Sequence, residues 1–147
     1  MMIGYAILGV PIVTLFVLLA FFIKREPMSP QYLIGCYTAT SGPTLNIRYK
    51  TMSYGKGRSH LLSYVVETSK DGYHLLVSPA MILRRGSDGN FAFSSGRGVG
   101  YFWNLLAKDG SQRLRAPSDY DGQFYTTATD GSSVVYSRTN DRTECGS

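Results

Sequence analysis

Gly100-Tyr101-Phe102-Trp103-Asn104-Leu105-Leu106-Ala107, followed two residues later by Asp109-Gly110, is the stretch on which the fold turns. It is the most apolar run outside the N-terminus. Short, aromatic and bounded by glycine punctuation, it reads as a central β-strand ending in a tight turn. The same pattern recurs on both sides. Asp71-Gly72, Asp88-Gly89, Asp121-Gly122 and Asp130-Gly131 supply further turns, 9 to 21 residues apart. Such dipeptides are expected to form two-residue type I′ hairpins, with positive φ at both central positions.

Between these turns the chain divides into short β-rich runs. Tyr32–Ala39 is the first, and Leu45, Ile47 and Tyr49 alternate with Asn46, Arg48 and Lys50 as in a half-buried strand. Leu61–Thr68, Gly72–Ser78, Ala80–Arg85, Asn90–Ser94, Gly100–Ala107, Gln112–Arg115, Gln123–Thr129 and Ser133–Arg138 follow. No segment of this region has helical periodicity, so parallel crossovers lack their helices and an antiparallel meander is expected. About ten strands call for closure, because open edges invite aggregation. The predicted class is mainly β, an antiparallel β-barrel or β-sandwich. Phe91, Phe93 and Phe102 are expected in its core, and Tyr101 and Trp103 on one face as a possible aromatic binding surface.

The N-terminus is of another kind. Ile3 to Ile23 runs 21 residues without a charge, and 14 of them are Leu, Ile, Val or Phe. A helix of this length spans roughly 31 Å, against about 30 Å of bilayer hydrocarbon. The run exceeds a signal core, no A-x-A site closes it, and Leu33-Ile34-Gly35-Cys36 lies too far beyond it to serve as a lipoprotein box. A retained single-pass transmembrane helix is therefore expected. The domains read as an anchor over 1–25, a juxtamembrane linker over 26–31 and a β domain over 32–147.

Net charge is +5 and unevenly spread. No acidic residue lies between Glu26 and Glu67, whereas Arg48, Lys50, Lys56 and Arg58 all do, a set that could touch an anionic surface such as lipid headgroups. Lys24 and Arg25 behind the helix favour a cytoplasmic domain by the positive-inside rule. Against this stand Cys36 and Cys145 at opposite ends of the domain, whose pairing as a disulfide needs an oxidising compartment. A periplasmic or extracellular domain is the expectation.

Catalytic and cofactor signatures are lacking. Gly55-Lys56-Gly57-Arg58-Ser59 fails the phosphate-loop pattern, since Lys56 precedes glycine and position 50 is lysine. His60 and His74 have no nearby partners of metal-ligand type, so neither metal nor cofactor is assigned, and both read as half-exposed strand residues. Asp119 and Asp121 could be imagined as a carboxylate pair, but the Pro117-Ser118-Asp119 context favours a loop. The chain is expected to be a non-catalytic binding or interaction module at the cell envelope. Its partners would be the lipid bilayer through residues 3–23 and an envelope protein or glycan, not nucleic acid. One alternative is a barrel carrying a lipid or other hydrophobic ligand inside, with Leu61, Val65, Leu75 and Val77 facing inward. The other is an envelope enzyme acting on glycan.

Overall fold

The computed structural model describes residues 25–55, 60–98, 100–140 and 145. The apolar run 3–23 lies outside these residues. Among the described residues no helix is long and apolar enough to cross a membrane.

Eight strands close into an antiparallel barrel: β1 (Gly35–Ala39), β2 (Gly42–Arg48), β3 (Thr51–Tyr54), β4 (His60–Thr68), β5 (Tyr73–Ser78), β8 (Tyr101–Ala107), β9 (Tyr120–Thr127) and β10 (Ser133–Thr139). Each pairs with its neighbour along the chain, and β1 pairs with β10, through Cys36↔Thr139, Tyr37↔Arg138 and Thr38↔Ser137, to seal the last edge. The barrel thus replaces the pair of alternatives left by the sequence. Two more strands, β6 (Met81–Arg85) and β7 (Phe91–Ser95), form a separate hairpin inserted between β5 and β8.

Each strand alternates, and the inward set fills the barrel. Tyr37, Leu45, Ile47, Tyr73, Leu75, Val77, Trp103, Phe124 and Tyr136 are fully buried. In the interior the rings stack in a column that passes from strand to neighbouring strand. Phe93 lies on Trp103 at 5.5 Å, Trp103 on Phe124 at 5.6 Å, and Phe124 on Tyr136 at 5.2 Å, all within 14° of parallel. Each such pair adds about 0.5–1.5 kcal/mol beyond its burial.

Three Asp-Gly turns share one geometry that differs from the expected type I′. Only the glycine takes positive φ, at +81° in Gly89, +77° in Gly110 and +82° in Gly131. In each, the glycine N–H returns to the carbonyl three residues back, as Gly110 does to Ala107 at 2.8 Å. The aspartate then accepts from the backbone N–H two residues on: Asp88 from Asn90, Asp109 from Ser111 and Asp130 from Ser132. This is a type I turn extended by a bulge, in which aspartate locks the turn locally and only glycine needs the left-handed region.

Several expectations are corrected. Leu61 and Val65 are 71% and 59% exposed, because β4 alternates in the opposite phase and turns Leu62 and Tyr64 inward instead. Leu75 and Val77 do face the core. Phe102, expected in the core, is 52% exposed, since its neighbours Trp103 and Tyr101 take the inner face. Gln112–Arg115 is irregular, Tyr32 sits in a 3₁₀ turn (Pro30–Leu33), and Thr51–Tyr54 is a strand that the sequence pattern did not resolve.

The predicted bridge is present. Cys36 and Cys145 are bonded across 109 residues, with Cα atoms 5.8 Å apart. Cys36 lies in the closing strand, opposite Thr139. Cross-linking a loop of this length restricts the unfolded chain by about 4.7 kcal/mol in loop-entropy terms. Replacing both cysteines by serine is expected to lower unfolding free energy by about 2–5 kcal/mol in urea titrations. A loss below about 1 kcal/mol would show that the bond constrains little.

Candidate functional site

The barrel has two ends of opposite character. At the near end β1 begins and β2, β4, β8 and β10 finish; at the far end lie the β1–β2 and β9–β10 turns and the inserted hairpin.

The near end is capped by the segment that enters the domain. Arg25 donates through both terminal nitrogens, to Leu114 O and Lys70 O, each at 2.8 Å. Tyr73 Oη donates to Glu26 O at 2.6 Å, and Met28 and Leu33 are buried in the core. The stretch expected as a linker therefore contributes to the packed domain. Behind it Tyr37 Oη donates to Leu33 O at 2.9 Å and lies 3.2 Å from Tyr120 Oη. Arg138 Nε donates to Tyr37 Oη at 3.2 Å, and its NH2 donates to Tyr32 O. The Arg138 stem runs against Gly122, at φ +82°, where any Cβ would come within 2.9 Å of it. Gly122 thus does two things: it takes a backbone angle other residues resist, and it leaves the slot through which arginine reaches the entering chain. Burial pushes the Tyr37 and Tyr120 hydroxyls above their ordinary range.

The far end is crossed by the β6–β7 hairpin. Leu83 is fully buried there, Thr129 N–H donates to Leu83 O at 3.0 Å, and Phe91 N–H donates to Ser41 O at 2.6 Å. Arg85 pairs with Asp130 at 2.9 Å, an exposed pair that adds little. Between this hairpin and the start of β4 lies an open cleft of about 550 Å³. Tyr54, His60, Met81, Phe93, Ser94 and Ser95 line it. Tyr54 stacks on His60 at 4.7 Å and meets Phe93 edge-on at 4.8 Å. Apolar ring surface beside hydroxyl and imidazole groups is the composition of a small-molecule site, and the volume falls in the usual range of about 300–1,000 Å³.

The sequence-derived candidates scatter. Trp103 is fully buried in the ring column, so it is no part of a binding surface; Tyr101 is half-buried, its hydroxyl donated to Thr127 O at 3.2 Å. Arg48 and Lys50 are exposed at the near end. Lys56 and Arg58 lie outside the described residues. His74 is held by Asn104 and Ser69, at 2.6 Å each, and Asp119 accepts from Ala116 N–H at 3.0 Å, so both have structural partners. The cleft residues Tyr54 and His60 were missed as a pair because the sequence pattern did not resolve Thr51–Tyr54 as a strand, which hid its pairing of Tyr54 opposite His60 in β4.

No family model matches the chain, nor does any curated protein or solved structure compared with it. Function is therefore argued from the site alone.

Two measurements test this geometry. Tyr37→Phe removes a hydroxyl with three partners and should cost about 1–3 kcal/mol, whereas Tyr136→Phe removes one buried without a protein partner and should be near neutral. Equal losses in urea titration would contradict the assignment. Second, burial pushes Tyr64 up to about 12, and Tyr37, Tyr73 and Tyr136 upward as well. The folded state holds these protons more tightly than the unfolded chain does. Their contribution is complete below about pH 10 and is lost as pH rises through the folded values. Unfolding free energy measured from pH 9 to about pH 12 should fall steadily, with tyrosinate absorbance rising as the fold is lost.

Proposed function

We propose that the protein is a membrane-tethered, non-catalytic binding module of the cell envelope. Its barrel stands with the near end toward the bilayer and presents the far-end cleft to an envelope glycan or protein. The observation that carries this reading is the attachment of Arg25. Two residues after the apolar run ends, the chain is already fastened to Leu114 O and Lys70 O at the near end. With 3–23 in the bilayer, so short a connection leaves the far end the outermost surface.

Tethering turns a weak site into a useful one, because it confines the domain to the membrane surface and raises its effective concentration toward partners there. The Tyr54–His60 stack beside Ser94 and Ser95 suits a ligand with both apolar faces and hydroxyls, as a sugar ring has. The disulfide accords with an oxidising compartment, and hence with the periplasmic or extracellular side. The carrier alternative has less support, since stacked, fully buried rings occupy interior space that a lipid would need.

In proteoliposomes, a cysteine introduced at Ser87 in the β6–β7 turn is expected to react with a membrane-impermeant maleimide several-fold faster than one at Tyr49 in the β2–β3 turn. Equal rates, after normalising to detergent-solubilised protein, would overturn the orientation. His60→Ala, which removes the exposed ring of the stack, should abolish retention on insoluble envelope glycan with the thermal melt unchanged.

A further inference from the structure

The loop joining β8 to β9 builds a second cleft, of about 560 Å³, on the near end of the barrel. Lys108, Arg113 and Arg115 line it, all exposed, and among the described residues none of the three is in an ion pair. Ser111 and Ser118 add hydroxyls. The carboxylates of the cleft are turned onto its own backbone: Asp109 accepts from Ser111 N–H at 2.9 Å and Asp119 from Ala116 N–H at 3.0 Å. Their acceptor capacity is partly used in shaping the loop, while the cations remain open. Leu114, fully buried between the two arginines, fixes the loop to the core, and its carbonyl is one of the two that hold Arg25. The cleft is thus bound directly to Arg25, two residues past the end of the apolar run.

We propose that this cleft binds the phosphate of an anionic lipid headgroup in the bilayer that holds the chain's own apolar segment, a proposal that rests on the tethered reading above. Two guanidinium groups and an ammonium around hydroxyls match a phosphodiester, since guanidinium forks bond paired phosphate oxygens. Placement supplies the rest. Cations close behind a membrane-spanning segment gain from anionic lipid by proximity, and each adds to the preference. Tyr49, 55% exposed at the tip of the β2–β3 turn with Lys50 Nζ 5.3 Å from its ring centre, extends the same end with an aromatic suited to the headgroup layer. The cleft would fix the rotation of the barrel about its tether, which a single helix leaves free.

The full chain is reconstituted in nanodiscs of equal phosphatidylglycerol and phosphatidylcholine, and retained lipid is read by native mass spectrometry. Enrichment of the anionic lipid by about fivefold or more is expected. It should vanish in Lys108→Gln/Arg113→Gln/Arg115→Gln and persist in Arg84→Gln/Arg97→Gln, which removes charge from the far end. Enrichment that survives the triple change, or is absent from the native chain, overturns the proposal. Perturbation of the arginine side-chain resonances by inorganic phosphate, without lipid enrichment, also overturns it in favour of a free anion. Alkaline carbonate extraction separates the two failures. A chain stripped from the membrane ends the tethered reading; a chain retained without enrichment ends the headgroup site alone.

Discussion

Closure of the barrel at the β1–β10 seam is the constraint on which the rest depends. An eight-stranded meander left open would expose two unpaired edges and uncover the core behind them. The seam itself is short, with three register pairs, and it joins the two strands most distant in sequence. Such a contact is costly to form because nearly the whole chain must be ordered first. Two covalent or charged devices act on that one seam. The Cys36–Cys145 bond ties the tail to the first strand, and Arg138, opposite Tyr37, reaches through the slot left by Gly122 to hold the chain entering the domain.

Inside that closed wall the aromatic column sets the radius. Eight strands enclose a space just wide enough for side chains, and here four near-parallel rings fill part of it, stacked from the hairpin across β8, β9 and β10. The column begins in the hairpin, with Phe93, and ends on the seam strand, with Tyr136. The inserted element is therefore part of the core and not an ornament on its rim. Trp103 Nε1, Thr126 Oγ1 and Tyr136 Oη are buried here without partners among the described residues. Ring stacking and burial must outweigh these polar costs, each of order 1–3 kcal/mol.

Much of the strand content was legible in the sequence, because alternation and Asp-Gly punctuation are local signals. Leu45–Ile47 and the Gly100–Ala107 run lay where their pattern put them, and the cysteine pair followed from its position at the two ends of the domain. What failed was phase and partnership. Leu61-Leu62 offers two apolar residues in succession, so alternation alone could not choose which faces inward, and the wrong choice carried Val65 with it. Phe102 misled likewise, flanked by Tyr101 and Trp103, because three consecutive aromatics cannot all turn to one side. The basic cleft had a usable signal, three cations within Lys108–Arg115, hidden by assigning Gln112–Arg115 to a strand. The far cleft was hidden in two ways: Tyr54 and His60 face each other only once β3 is read as a strand paired with β4, and Phe93 joins them only through the hairpin's fold across the barrel mouth.

Because the first and last strands adjoin, the chain enters the barrel and finishes its final strand at a single rim. The connections at the opposite rim are consequently internal loops, joining one strand to the next. Lengthening such loops costs free energy only logarithmically with residue number. The β6–β7 hairpin is one instance already realised, an elaboration sitting where a plain meander would need only a turn. That rim can diversify through descent, acquiring new contact surfaces while the clasped rim and its attachment stay unaltered.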